Sequence, residues 1–231
     1  MTKRILSVIL ALILAMTAMV ACGNNQNNDN NDVNNNVNEE ANGNTENAAI
    51  ADSAADLLAA PYTAFLTTLA PAFGVESADE IKSYFVSNEM ETVTETDADT
   101  GEEFSYDMPK SGPGKLDLAD VDTLVAFTLF PADSIEKLES ASVFFNMMNQ
   151  NNGTFSAFEL KDAADVDAVV AALQTNITGN MWFCGFPERY VIIKVDNFVV
   201  AAFGLGDSTN AFRDAVTSTY EGAVVVCDEA L

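Results

Sequence analysis

Apolar positions in this chain recur with helical spacing at both ends of a long module, and with strand-like alternation or continuous β-branched runs between them. Leu57, Leu58, Phe65, Leu66 and Leu69 recur at helical intervals. They predict a helical segment from Ile50 to Phe73, with Asp52 or Ser53 as its cap and a break at Pro61 that divides it into two short helices. A second helix is predicted from Asp79 to Ser87. Thr92–Glu95 and Glu103–Tyr106 read as short strands joined by the acidic loop Asp97-Ala98-Asp99-Thr100-Gly101. Val121 to Phe130 reads as a strand ending at Pro131. A helix is then expected from Asp133 or Ser134 through Ile135, Leu138 and Phe145, and a strand from Thr154 to Leu160. Val166, Val169, Val170, Leu173 and Ile177 form the clearest apolar stripe of a helix. Tyr190–Val195 and Phe198–Gly204 are β-rich runs separated by Asp196-Asn197, two residues that tolerate positive φ and so suit a tight hairpin. A helix capped by Asp207 or Ser208 should carry Phe212, Val216 and Tyr220 on one face, and Ala223–Cys227 reads as a last strand. The expected fold class is α+β: an antiparallel sheet with helices packed mainly on one face, preceded by a helical N-terminal segment.

The first residues follow a different pattern. Lys3 and Arg4 precede a largely apolar run of 16 residues, Ile5 to Val20, which is too short for a spanning helix of about 20 residues. Two cations before such a run read as a secretory signal peptide, residues 1–21. The run ends Met19-Val20-Ala21-Cys22-Gly23, which resembles the lipobox of bacterial lipoproteins. That resemblance implies cleavage before Cys22 and acyl chains on its sulfur, hence a palmitate-type membrane anchor on the extracytoplasmic face, since two or more chains hold where one does not. Residues 23–48 contain 13 Asn among 26 positions, with scattered acids. Such a stretch cannot bury enough apolar surface to offset chain entropy. Residues 22–49 are therefore expected to be a disordered tether, reaching roughly 28 Å as a random coil. Residues 50–114 then form the helical segment with its acidic hairpin, and 115–231 the α+β domain.

Charge changes which partners are credible. The chain has 35 acids against 10 bases and a formal net charge of −25. Export would remove Lys3 and Arg4 but no acid, taking it to −27. No nucleic-acid partner is expected, because such binding rests on cations that neutralise phosphate. Histidine is absent from the whole sequence. This removes Ser-His-Asp and Cys-His nucleophilic systems and the commonest transition-metal ligand. No cofactor or metal site is expected. The loop Asp97-x-Asp99-x-Gly101 fails as an EF-hand, because Glu102 and Met108 stand where Gly and Glu are required. Gly204-x-Gly206-Asp207-Ser208 reads as a capped turn rather than a phosphate loop, since Asp207 would repel an anion at the helix start.

Two candidates for function remain. Met181-Trp182-Phe183-Cys184-Gly185-Phe186-Pro187-Glu188-Arg189 gathers the only Trp, two Phe and an Arg into one predicted loop. Trp182, Phe183, Phe186 and Arg189 are its candidate binding residues, with Arg189 expected to pair with a carboxylate. Cys184 and Cys227 could form one disulfide in an extracytoplasmic domain, or stay as two packed thiols. The function expected is a non-catalytic binding or interaction module for a protein or small molecule. The alternative is a carboxylate-based extracellular hydrolase, and two carboxylates facing each other in a cleft would speak for it.

Part of the module is similar to a known family. The carrying residues are Phe155-Ser156-Ala157-Phe158-Glu159-Leu160-Lys161-Asp162, the helix through Val169 and Leu173, Pro187-Glu188-Arg189-Tyr190, and the hairpin Lys194-Val195-Asp196-Asn197-Phe198-Val199-Val200. In this order, over about residues 120–220, they resemble a domain-of-unknown-function family, numbered 4358, of lipoproteins from Gram-positive bacteria. Phe203-Gly204-Leu205-Gly206 is more glycine-rich than that pattern. The resemblance implies a lipoprotein with an α+β domain and implies no activity.

Overall fold

The computed structural model describes residues 50–231; the expected signal peptide, Cys22 and the expected tether lie outside the described residues. Among the described residues the chain forms one antiparallel sheet with five α-helices, the α+β class expected. The order along the chain is α1 (Ala54–Leu69), α2 (Ala78–Ile81), β1 (Phe85–Thr96), β2 (Glu103–Ser111), β3 (Gly114–Lys115), α3 (Val121–Thr128), β4 (Leu138–Asn146), β5 (Gly153–Leu160), α4 (Val166–Gly179), β6 (Arg189–Val195), β7 (Phe198–Gly204), α5 (Gly206–Thr219) and β8 (Val224–Ala230). The strands run β2-β1-β4-β5-β7-β6-β8 across the sheet, and the short β3 pairs with β4. No single helix among the described residues is long and apolar enough to cross a membrane.

The helices cover both faces of the sheet, not mainly one. Phe155, Ala157, Val191, Ile193, Phe198, Val200 and Ala202 point to α1 and α5. Their neighbours Phe158, Leu160, Ile192, Val199, Ala201 and Phe203 point the other way, to α3 and α4. The reason lies in β5, β6 and β7, which are apolar at odd and even positions alike. Side chains alternate across a strand, so such strands expose apolar surface unless each face has a cover. Residues 50–114 and 115–231 share this core. The line between them falls inside β3, α1 packs on α5, and Phe85 and Val86 of β1 pair with Asn146 and Phe145 of β4.

Several local expectations are revised. Pro61 does not divide the first helix. Ser53 caps α1 through the Asp56 N–H, and α1 runs unbroken to Leu69. A proline has no N–H for the carbonyl four residues back, and here the Tyr220 hydroxyl donates to that carbonyl, Leu57 O, at 2.8 Å. The expected strand from Val121 is instead α3. Asp120 accepts the Thr123 N–H at 3.2 Å as its cap, and Leu124 and Thr128, four apart, are buried. The expected helix after Asp133 is a 3-10 turn, Ala132–Lys137, followed by β4, whose Val143 and Phe144 serve opposite faces. The helix from Asp79 likewise shrinks to the four residues of α2 and a 3-10 turn, with Phe85 already in strand. The stripe Val166, Val169, Val170, Leu173 and Ile177 is buried as expected. The β6–β7 hairpin turns at Asp196-Asn197, with Asp196 at φ 54°.

Candidate functional site

One end of the sheet collects the candidate residues. There Phe85 at the start of β1 pairs with Asn146 at the end of β4, and Gly204 at the end of β7 pairs with both Gly153 at the start of β5 and Arg189 at the start of β6. Two connections meet there: the β4–β5 turn, residues 147–152, and the α4–β6 loop, residues 180–188. Asparagines join them. The Asn151 side-chain N–H donates to Phe183 O at 2.7 Å and Gly185 O at 3.2 Å, and that of Asn149 donates to Cys184 O. Asn146 in turn accepts the N–H groups of Met148 and Asn149, so the turn is closed on itself. Gly185 sits at φ 145°, and a Cβ there would stand 2.5 Å from the Asn149 amide nitrogen, so this contact needs glycine.

Pinned in this way, the loop turns its large apolar groups outward. Met181 is 76% exposed, Phe183 69% and Phe186 74%, and Met148 on the facing turn is 73% exposed beside Met147. Four such side chains on two tethered connections give this end of the sheet an apolar tip, and exposed apolar groups gathered in this way mark a contact surface. Methionine and phenylalanine suit it, since thioethers adapt to the shape they meet. Trp182 departs from the expected role. Its ring lies 5.0 Å from that of Phe203 and packs on the core face shared with α4, so it anchors the loop. Arg189 also leaves the binding set. It is the first residue of β6 and pairs with Asp228 of β8. Asp228 holds Arg213 with its other oxygen at 2.6 Å, so both arginines of the described residues converge on one carboxylate. Burial by itself would raise the Asp228 pKa, but the hydrogen bonds from Arg213 and Arg189 outweigh it and hold the carboxyl below its ordinary value.

Cys184 and Cys227 are not bonded. Cys184 is exposed in the loop at φ 58°, while Cys227 on β8 points into the core beside α4. Burial raises the Cys227 thiol pKa, which keeps it a packed thiol rather than a thiolate. The acidic loop at residue 97 is self-satisfied: Asp97 accepts the backbone N–H groups of Asp99 and Thr100 at 2.9 and 2.7 Å, an Asx turn.

At the same end of the sheet lies an open cleft of about 410 Å³. Leu69, Phe73, Phe85 and Leu205 form its apolar wall. Asn146, Asn152, Glu188 and Asp207 form its polar wall. Gly204 sets the approach of these elements. It stands at φ 158°, and a Cβ there would lie 2.6 Å from Asn152 O, which accepts the Leu205 N–H at 3.0 Å. Leu205, not Asp207 or Ser208, is the N-cap of α5, and its first N–H, on Gly206, is taken by the Glu188 carboxylate at 2.7 Å. Sequence reading finds the 181–189 loop but misses its partners Met148, Asn149 and Asn151. The cluster Asn146-Met147-Met148-Asn149-Gln150-Asn151-Asn152-Gly153 was the available signal, since Asn and Gly favour turns. Comparison with family models, with curated proteins and with solved structures finds no match to this chain.

Proposed function

We propose that this chain is a lipoprotein anchored through Cys22 on the extracytoplasmic face of a membrane, and that its folded module is a non-catalytic binding unit that meets its partner with the tip formed by Met148, Met181, Phe183 and Phe186. The observation that carries the binding reading is the exposure of these side chains on connections pinned by Asn149 and Asn151. A loop with no partner would gain by turning such groups inward, as it does with Trp182. The lipobox-like Met19-Val20-Ala21-Cys22 and the Asn-rich stretch after it support the anchoring, as does the resemblance to the lipoprotein family numbered 4358.

Glu188 and Asp207 share one cleft, and this pair favours the second reading, a carboxylate-based hydrolase. The binding reading is preferred because Glu188 is engaged with the Gly206 N–H and both side chains stand open to water. A general acid of this type needs an enclosed site that raises its pKa.

Two measurements test the proposal. Full-length protein should enhance the fluorescence of Nile red, and Met148→Ser/Phe183→Ser/Phe186→Ser should lower that signal severalfold with an unchanged melting temperature. Equal signals from the two proteins would remove the tip as the contact surface. In cells, the wild type should take up a fatty-acid analogue and fractionate with membranes, and Cys22→Ser should take up no label, whether it is released or held at the membrane by an uncleaved signal. A labelled Cys22→Ser protein, or a wild type found only in the soluble fraction, would end the anchoring reading.

A further inference from the structure

The cleft has a definite charge character that the tip lacks. Its polar wall carries two carboxylates, Glu188 and Asp207, and no lysine or arginine among the described residues lines it. The two arginines nearest in sequence, Arg189 and Arg213, are turned to Asp228. Asp207 makes no ion pair among the described residues. A helix N-terminus ordinarily suits an anion. Here Glu188 occupies the first N–H of α5 and Asp207 stands in its first turn, so the end of α5 is already neutralised from within. The opposite wall is apolar, with Phe73 and Phe85 in contact at 6.2 Å between ring centroids. The cleft is continuous with the tip along the chain. The turn that supplies Asn146 and Asn152 carries Met148, and the loop that supplies Glu188 carries Phe186 two residues earlier.

From this geometry we infer that the cleft takes a cationic side chain whose apolar neighbours cover the tip: the occupant is a basic amphipathic peptide segment, with a lysine or arginine between the carboxylates and leucine or phenylalanine against Phe183 and Phe186. The inference rests on the tip as a contact surface and adds the chemistry of what it meets. Covering the tip removes water from Glu188 and Asp207, and an ion pair gains strength as the local dielectric falls. The apolar contacts and the charge contacts therefore act together, and neither kind alone holds the segment.

The test uses full-length protein in detergent micelles and three synthetic peptides of equal length. One alternates lysine with leucine and phenylalanine, one replaces each lysine by glutamate, and one keeps the lysines but replaces each apolar residue by serine. Fluorescence anisotropy should show binding of the first peptide at least tenfold tighter than either other, weakening as salt is raised. Glu188→Gln/Asp207→Asn should weaken it at least tenfold. Asp99→Asn/Glu102→Gln on the acidic hairpin, which removes the same charge, should change it less than twofold. Leu205→Lys, an exposed substitution in the cleft wall, should abolish binding with a normal melting temperature, so the inference does not depend on how the first turn of α5 tolerates the loss of the Asp207 carboxylate. Equal binding of the lysine and glutamate peptides, or equal losses in the cleft and hairpin variants, would overturn the assignment of charge to the cleft. In that case Phe183→Ser/Phe186→Ser weakening both apolar peptides leaves the tip standing. Equal binding of the serine peptide would overturn the tip reading itself.

Discussion

The central strands β5, β6 and β7 and the outer ribbon of β1 and β2 are built from the same backbone ladder, yet they are held by different forces. β5 and β7 are buried along nearly their whole length, with apolar side chains on both faces. The ribbon beyond Glu89 is exposed on both faces, apart from half-buried positions such as Val93 and Met108. Its cross-strand links are polar: Thr92 to Asp107 at 2.7 Å, Thr94 with Ser105 at 2.8 Å, and Tyr106 to Glu95 at 2.8 Å. Each such pair contributes a few tenths of a kcal/mol, up to roughly 1, whereas one fully buried aromatic side chain contributes several times that. Hydrogen bonding with little packing thus maintains a strand pair where carboxylates keep its edges solvated, and two-sided packing makes the neighbouring strands the rigid frame. A functional surface needing fixed geometry belongs on the frame, and the tip and cleft are placed on the ends of β4, β5, β6 and β7.

The largest effect should come from the frame. Phe155 is fully buried, with the rings of Phe65, Phe144 and Phe212 at 4.9, 4.8 and 4.9 Å. Phe155→Ala should cost about 3–5 kcal/mol in urea unfolding. A cost below about 1 kcal/mol would mean that the two-faced core is not what holds the sheet.

The edge strand β8 tests an intermediate regime. Asp228→Asn should cost about 2 kcal/mol, less than breaking a fully buried pair, because 26% of its side chain is exposed. Its lowered folded pKa fixes the sign with pH. The carboxylate contributes stability that is fully present above the unfolded value of about 3.9 and is lost as pH falls through the lower folded value. The stability gap between wild type and Asp228→Asn should therefore be constant at neutral pH and close only below about pH 4. A gap that closes near pH 6 would contradict the ion-pair account.

Smaller still is the hydroxyl that repairs α1. Tyr220→Phe leaves the Leu57 carbonyl unmatched and should cost about 1 kcal/mol. In a Pro61→Ala background the backbone N–H gained at position 61 can reach that carbonyl, so the same Tyr220→Phe substitution should cost close to nothing. An additive double-mutant cycle would separate Pro61 from Tyr220. At the bottom of the range, Thr94→Ala on the ribbon should change stability by less than about 0.5 kcal/mol. Its amide neighbours should be among the first to exchange hydrogen, well before those of β7.

Local signals in the sequence are reliable where one physical requirement acts alone. The stripe from Val166 to Ile177 has only to bury one side of a helix, and it does. Asp196-Asn197 has only to reverse the chain, and it does. The tetrapeptide Ala-Phe-x-Leu, which occurs three times, at residues 126–129, 157–160 and 202–205, shows the limit. Ala157–Leu160 lies in β5 and Ala202-Phe203-Gly204 ends β7, whereas Ala126-Phe127-Thr128 closes α3. The tetrapeptides share composition, but the residues before them differ, and Asp120 with its bond to Thr123 N–H starts a helix that hydrophobicity alone does not announce. Likewise the spacing of Ile135, Leu138 and Phe145 suits a helix, but Val143 and Phe144 are needed on opposite faces of the sheet, which only a strand allows.

The sequence by itself determines the α+β class, the absence of histidine chemistry, the strong acidity, and the loop from Met181 to Arg189 as a concentration of contact-type residues. Each of these depends on residue type or on neighbours within a few positions. Tertiary structure alone decides that Trp182 faces inward while Phe183 and Phe186 face out, that Arg189 serves Asp228 rather than a ligand, and that Met148 joins the tip across more than thirty residues of chain. It also decides that α1 and α5 take one face of the sheet and α3 and α4 the other. The direction of a side chain at a strand end depends on what the neighbouring strand leaves open. That neighbour is chosen by the packing of the whole core, which no local stretch of sequence contains.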